Sequence, residues 1–297
     1  MPKEKITITN EDNASLMMRL EDESIDIICI DPPYLYLKNQ KLERPFDEQL
    51  FFSECKRLLT KDGFIIMFGR GESFYRWNTI LSDIGFKFKE EIIWDKGYSS
   101  SPVLPLQRFH ETISIFCNGE SKINKVNIPY LEQKQHNIDG IITDVKRIAS
   151  ALKSDSVMKD LINYFESKKR SDYTNNRISN HNVSVNGASP GNQAVTTFKS
   201  INDGMNEKSI IKTLRDHYST IHPTQKPVRL IERLIALVLP DKPKDKITVA
   251  DFFGGSMSTM EACYNIGVNG ISCEIDKEYF DLGEKRIHKL SAQQSLF

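Results

Sequence analysis

The chain has 297 residues, 39% of them hydrophobic, enough for one large core or for one core with a smaller appended region. Acidic and basic residues balance at 40 each, so net charge names no partner, and a nucleic-acid binder with this balance must segregate its positive charge locally. The apolar run "LIERLIALVL" is about half the roughly 20 residues a bilayer needs, which excludes a membrane span there. "MPKEKITITN" does not read as a signal peptide, and the five cysteines show no CxxC spacing. Buried thiols in a reducing cytosol are the expectation.

"KITIT", Lys5 to Thr9, alternates and is β-branched, so it reads as a strand, with a short helix over "NASLMMRL" after it. "IDIICI", Ile25 to Ile30, reads as the apolar run of a strand covered on both faces of a parallel sheet. "QLFFSECKRLLTKDG" reads as an amphipathic helix stopped by Asp62-Gly63. "FIIMFG" is another buried strand, "SFYRWNTILSDIG" a helix ending at Gly85, and "FKFKEEIIW" and "ETISIFC" are strands at the far side of the sheet. From Gly119 to about Thr220 the chain turns polar and rich in Asn, Ser and Lys. Within it "DVKRIASALKSDSVMKDLINYFESKKR" reads as helical, and "SDYTNNRISNHNVSVNGASPGNQAVTTF" as a long loop. The pattern resumes with a helix over Val228 to Leu239, a strand "ITVADFF", a helix "SMSTMEACYNIG", a strand "GISCEID" and a closing helix "KEYFDLGEKRIHKL". Strands alternating with helices predict an α/β fold, divided as a core part over 1–119, an insert over 120–220, and the rest of the core over 221–297.

Three stretches could carry chemistry. In "VADFFGGSMSTMEACYNIGVNGISCEID" a strand ends at Asp251, a Gly254-Gly255-Ser256 turn opens a helix, and a second strand ends in Glu274. Glycines let a ligand approach the backbone, and an acid about 20 residues further on is placed for ribose hydroxyls. A plain βαβ unit would look the same. Neither G-x-x-x-x-G-K-[ST] nor G-x-G-x-x-G occurs, which counts against a nucleoside triphosphate or a dinucleotide. In "CIDPPY" a second buried strand ends on a carboxylate, Asp31. Pro32 and Pro33 fix two φ angles and remove two N–H donors, leaving carbonyls to aim outward beside the Tyr34 ring. That set suits a flat, amino-bearing heterocycle; a strand-capping turn is the plainer alternative. "IHPTQKPVRLIERL" is a proline-bracketed loop running into a buried helix.

These residues resemble the S-adenosylmethionine-dependent DNA amino-methyltransferases of the beta group, in which the catalytic motif precedes the cofactor motif. The family's D/N/S-P-P-Y/F/W stands as Asp31-Pro32-Pro33-Tyr34, its cofactor motif as Asp251 to Ser258, and its H-P-T-Q-K-P intact from His222 to Pro227. The resemblance implies a doubly wound, mostly parallel, Rossmann-like sheet of seven strands in circularly shifted order, with the insert as a target-recognition region. It implies catalytic Asp31, Pro32, Pro33 and Tyr34. It implies S-adenosylmethionine held by Asp31, Asp251, Phe252, Phe253, Gly254, Gly255, Ser256, Glu274 and Ile275, with His222 and Lys226 beside the cofactor carboxylate. No metal is implied, and no HExxH or His/Cys cluster occurs. The aspartate–tyrosine form of the tetrapeptide points to adenine; cytosine's exocyclic amine is the alternative, and a DNA-binding relic a further one. Double-stranded DNA is the implied partner, in the cytoplasm. Lys146, Arg147, Lys168, Lys169, Arg170 and Arg177 are expected at phosphates, and Asn175, Asn176 and Asn180 at base edges. A homodimer and a companion restriction endonuclease follow by analogy. Two departures stand out: Phe252 replaces a proline, and Met257 replaces a glycine of the turn. A helical φ would let Met257 begin its helix without strain.

Overall fold

The computed structural model describes residues 6–34, 44–99, 105–134, 137–153, 190–214 and 225–294, with positions 155, 158 and 162. Chain contacts divide it into two units, 1–124 with 208–297, and 125–207. The first unit begins with β1 (Ile6–Thr9), α1 (Asn13–Arg19), β2 (Ile25–Ile30), α2 (Glu48–Leu58), β3 (Leu59–Gly69), α3 (Gly71–Asp83), β4 (Lys87–Asp95) and β5 (His110–Cys117). The second unit holds β6 (Asn127–Ile128), α4 (Tyr130–Lys134), α5 (Ile138–Ala151), α6 (Pro190–Asp203) and β7 (Met205–Asn206). The first unit resumes with β8 (Ile210–Lys212), α7 (Val228–Val238), β9 (Thr248–Asp251), α8 (Ser258–Ile266), β10 (Asn269–Cys273) and α9 (Lys277–Gln294).

The sheet runs β1-β10-β9-β2-β3-β5-β4-β8. The first five strands are parallel, β5 is antiparallel to both β3 and β4, and β8 adds parallel to β4. The described sheet thus has eight strands, one more than the seven expected. The extra one is only three residues long, too short to stand out in sequence, and is recruited by pairing Ile210–Lys212 with Ile93–Asp95. The circularly shifted order holds. β2 pairs with β9, Ile27 opposite Val249 and Ile28 opposite Ala250, so Asp31 and Asp251 follow neighbouring strands. β2 is fully buried. Its one charged residue, Asp26, is neutralised by Lys242 at 2.5 Å and accepts from the Thr248 N–H at 2.9 Å.

The helices cover both faces with apolar stripes. α2 is capped by Asp47, which accepts from the Leu50 N–H at 3.0 Å, and it buries Phe51, Phe52, Cys55 and Leu58. Each such side chain is worth about 1.5–3 kcal/mol. The expected stop at Asp62-Gly63 is displaced: α2 ends at Leu58 and β3 begins at Leu59. Leu59 pairs with Ile25 and Phe64 with Ile27, so Thr60 to Gly63 bulge out of the strand. The turn residues serve that bulge. A Cβ on Gly63 would meet Leu59 Cδ2 at 2.8 Å and the Asp26 carbonyl at 3.1 Å. All five cysteines are buried and unbridged. No helix among the described residues is long and apolar enough to cross a membrane.

Met257 does not meet the condition for a strain-free helix start. Its φ and ψ are 58° and 29°, left-handed, not helical. That conformation costs a non-glycine residue about 1–2 kcal/mol. The side chain is fully buried, directed at α9, where a Cβ on Gly283 would come within 2.5 Å of Met257 Cγ. Burial of the thioether, worth about 1.5–3 kcal/mol, offsets the strain. Gly283→Ala should therefore destabilise the fold by about 1–3 kcal/mol in urea titration. Met257→Ala in the same chain should recover part of the loss, and strictly additive costs would contradict the contact.

Within the second unit, Ala151, Ala194 and Val195 form a small core with Met158 and Phe198 packed on it. Both stems of this insert are fixed within the first unit. Asn124 donates its backbone N–H to the Leu237 carbonyl and Nδ2 to the Leu239 carbonyl, both at 2.7 Å. On the return, β8 is zipped onto β4.

Candidate active site

At the carboxyl ends of β2, β9 and β10 lies a cavity of about 290 Å3. Asp31 to Tyr34 form one wall, and Phe252 to Ser256 with Asp251 another. Glu274 and Ile275, following β10, and Lys226, just before α7, complete it. Open parallel sheets place ligands at such strand ends. The structure thus brings together every described residue expected to bind the cofactor. His222 lies outside the described residues.

The glycine turn is built by close packing. The Gly254 N–H donates to the Cys273 carbonyl at 2.9 Å, and a Cβ there would lie 2.5 Å from Ser272 Oγ. Gly255 has φ +48°, a left-handed value that glycine takes readily, and its N–H donates to Glu274 Oε2 at 2.8 Å. Glu274 Oε1 accepts from the Asp276 N–H at 2.7 Å. Burial raises the Glu274 pKa, opposed by those two N–H groups. Asp251 accepts from Thr259 Oγ1 at 2.6 Å and from the Phe253 N–H at 3.0 Å. Burial pushes its pKa up to about 7 against those bonds, with the charges of Asp31 and Glu274 adding to the rise. Phe252, in place of the family's proline, is buried in the main core beside Phe51, 6.1 Å between ring centroids. The Met257 side chain, turned into the core, is not among the groups lining the cavity.

Around Asp31 sits a buried chain of charge. Tyr34 donates its hydroxyl to Asp31 Oδ1 at 2.5 Å, and Lys226 Nζ pairs with Asp31 Oδ2. Lys226 also faces Glu111 Oε2 at 3.3 Å, an ion pair without hydrogen-bond geometry. Glu111 Oε1 accepts from Lys96 Nζ at 2.9 Å. Burial raises the Asp31 pKa; Lys226 opposes the rise and Glu111 adds to it. Burial would raise Glu111 too, but Lys226 and Lys96 hold it down to about 2. Burial would lower Lys226, yet Asp31 and Glu111 raise it overall. Lys226, expected beside the cofactor carboxylate, lines the cavity and is paired with the carboxylates of Asp31 and Glu111. Sequence reasoning left Glu111 and Lys96 without a role. Only the strand pairing reveals them: β5 runs antiparallel, so its first residues lie at the edge where the parallel strands end, and Glu111 pairs with Trp94 there.

The residues present fit S-adenosylmethionine. Among the described residues Glu11, Asp12, Asp31, Glu111, Asp251, Glu274 and Asp276 line the cavity, seven carboxylates against the two cations Arg44 and Lys226. That balance suits a ligand carrying sulfonium and ammonium charges. Glu274 offers acceptors for ribose hydroxyls, and Ile275, 49% exposed, offers an apolar surface for a purine.

Strand order, reversed β5, glycine turn and proline-locked carboxylate define a Rossmann-like methyltransferase. The chain belongs to the DNA methylase family, whose sequence profile matches residues 25–285, and is an S-adenosylmethionine-dependent DNA methyltransferase. It is 25% identical over 309 residues to Type II methyltransferase M.HinfI of Haemophilus influenzae, covering 96% of this chain and 68% of that protein. It is 26% identical over 292 residues to DNA adenine methyltransferase YhdJ of Escherichia coli (strain K12), covering 95% and 82%. In fold it resembles the M1.HpyAVI–SAM complex, with TM-score 0.53 and 19% identity over 95% of this chain and 99% of that one. It also resembles PvuII DNA methyltransferase (cytosine-N4-specific), with TM-score 0.54 and 14% identity over 95% and 88%.

Proposed function

We propose that the protein methylates the exocyclic amine of an adenine flipped out of a specific DNA sequence. The observation that carries this reading is the shared cavity: Asp31 and Tyr34 face the same space as the Gly254–Ser256 turn. S-adenosylmethionine, when bound, supplies a methyl group already activated on a sulfonium. Tyr34 gives the flipped base a stacking face, and Asp31 with the Pro32 carbonyl accepts from the amine's two N–H groups. Those acceptors favour a tetrahedral nitrogen and stabilise the positive charge that develops on it, which is differential binding of the transition state. Pro33 keeps the turn rigid, so the acceptors need little rearrangement. Tyr34 must first release Asp31 Oδ1. Lys226 holds the other oxygen meanwhile. Gly254 to Ser256 bind the cofactor's methionyl and adenosyl side, and Glu274 takes the ribose.

Adenine over cytosine is supported by the Asp31–Tyr34 form of the motif and by the name of the Escherichia coli relative. Against the relic alternative stands the Met257 side chain, which is buried and is not among the groups lining the cavity. The insert, residues 120–220 in the sequence reading, is assigned target recognition. Of its expected phosphate contacts, Lys146 is exposed and Arg147 pairs with Asp144 at 2.8 Å. Lys168, Lys169, Arg170 and Arg177 lie outside the described residues, as do Asn175, Asn176 and Asn180. The reading includes a cytoplasmic protein acting beside a restriction endonuclease or alone, and a homodimer, each by family analogy. Mass spectrometry of nucleosides from DNA of cells expressing the protein should show N6-methyladenine. N4-methylcytosine in its place would remove the adenine assignment.

A further inference from the structure

Tyr34 lines two cavities. The second, about 390 Å3, is of opposite charge character to the first: among the described residues its charged lining is Arg70, Arg76 and Arg108 with the carboxylate Glu72. Arg76 is already fixed, donating Nε and Nη2 to Glu48 at 2.7 Å each, and serves as a wall. Arg70 and Arg108 are half-buried. Among the described residues Arg70 makes a 3.4 Å contact from Nη1 to the His110 carbonyl. The start of α3 forms part of the same lining. Arg70, its N-cap, gives no side-chain cap, and Gly71 has φ +64° with open space where a Cβ would point. The first turn of this 13-residue helix therefore presents N–H groups and the positive end of its dipole beside the arginines. Ser73 Oγ donates to the Tyr34 carbonyl at 2.8 Å, tying this helix start to the proline turn.

We infer that this second cavity seats a phosphodiester of the DNA strand carrying the flipped base, held by Arg70, Arg108 and the first turn of α3. The inference rests on the flipped-base reading above. A base rotated out about its backbone brings its sugar and flanking phosphate with it, and the base seat and this cavity share Tyr34. A phosphodiester presents a negative charge and several acceptor oxygens, which guanidinium forks and helix N–H groups match. The arrangement also shows how a chain with 40 acidic and 40 basic residues serves both ligands: carboxylates gather at the cofactor and arginines beside the tyrosine.

The test is the salt dependence of binding to a labelled random-sequence duplex. Each phosphate contact contributes about 0.9 to the slope of log affinity against log salt, so R70Q/R108Q should lose up to roughly two units of slope. S-adenosylmethionine affinity and the melting temperature should hold. Arg108→Gln alone, outside any helix or strand, should lose roughly one unit and answers for the double variant if that fails to fold. Glu72→Gln, which removes the cavity's carboxylate, should tighten binding. Unchanged slopes in R70Q/R108Q and R108Q, with normal methylation by the wild-type enzyme, would overturn the phosphate seat and leave the base reading standing. No methylated base from the wild-type enzyme, whatever the slopes, would overturn the base reading and the seat that serves it.

Discussion

Asp31→Ala should abolish methyl transfer, by at least about a thousandfold in kcat, while S-adenosylmethionine still binds. Asp31 is the one carboxylate of the proline-locked turn, and its interaction with the amine strengthens only as charge builds on nitrogen. Its loss also leaves Lys226 facing Glu111, which already pairs with Lys96. Two buried ammonium groups would then share one carboxylate, a costly state, so lost activity could reflect a weakened fold. Asp31→Asn separates the two effects, because it keeps the volume and one acceptor oxygen but not the charge. Both variants should take up S-adenosylmethionine in calorimetry and incorporate no labelled methyl into DNA. Activity of Asp31→Ala within tenfold of wild type would remove Asp31 from the chemistry.

Glu111→Gln and Lys226→Gln should move the pH profile of kcat in opposite directions. On the proposed mechanism Asp31 must be ionised to stabilise the cationic nitrogen, so its pKa sets the acid limb. Burial raises that pKa, Lys226 lowers it and Glu111 raises it. Removing the Glu111 charge therefore lowers the Asp31 pKa and shifts the acid limb to lower pH. Removing Lys226 raises the pKa and shifts the limb to higher pH. Tyr34 donates to Asp31 and the Asp251 carboxylate is coupled to it; both are unchanged in these variants. Glu111→Asp, which keeps the charge, should restore the wild-type profile in part. Limbs that stay put, or that move the same way in both variants, would show that the charge chain only holds the fold.

Much of the site was legible because parallel sheets gather their strand tips. Asp31 and Asp251 each end a buried run, and neighbouring runs put their ends together. The glycine turn and the acid beyond the next strand follow the same logic. Glu111 and Lys96 were not legible from spacing: Glu111 stands near the start of the reversed strand β5, where a polar residue before an apolar run looks like a solvated edge, and Lys96 follows the end of β4. The conformation of Met257 was left open, because sequence does not show the distant partner, Gly283, against which its left-handed form packs. Asp62-Gly63 looked like a helix stop because turn residues signal a break without saying which element breaks. The arginines beside Tyr34 escaped notice because they are scattered over 70, 76 and 108, and only folding assembles them.

The pinned stems of the insert bear on how such an enzyme diversifies. Asn124 is clamped to the end of α7 and β8 is zipped to β4, so strain from whatever is spliced between them stops at two anchors. Loop-closure entropy grows only as the logarithm of length, so the spliced segment is free to lengthen, shrink or be exchanged at small thermodynamic cost. If the insert recognises the target as proposed, address and reaction can evolve on separate clocks, one written in a replaceable cassette and the other in the strand tips.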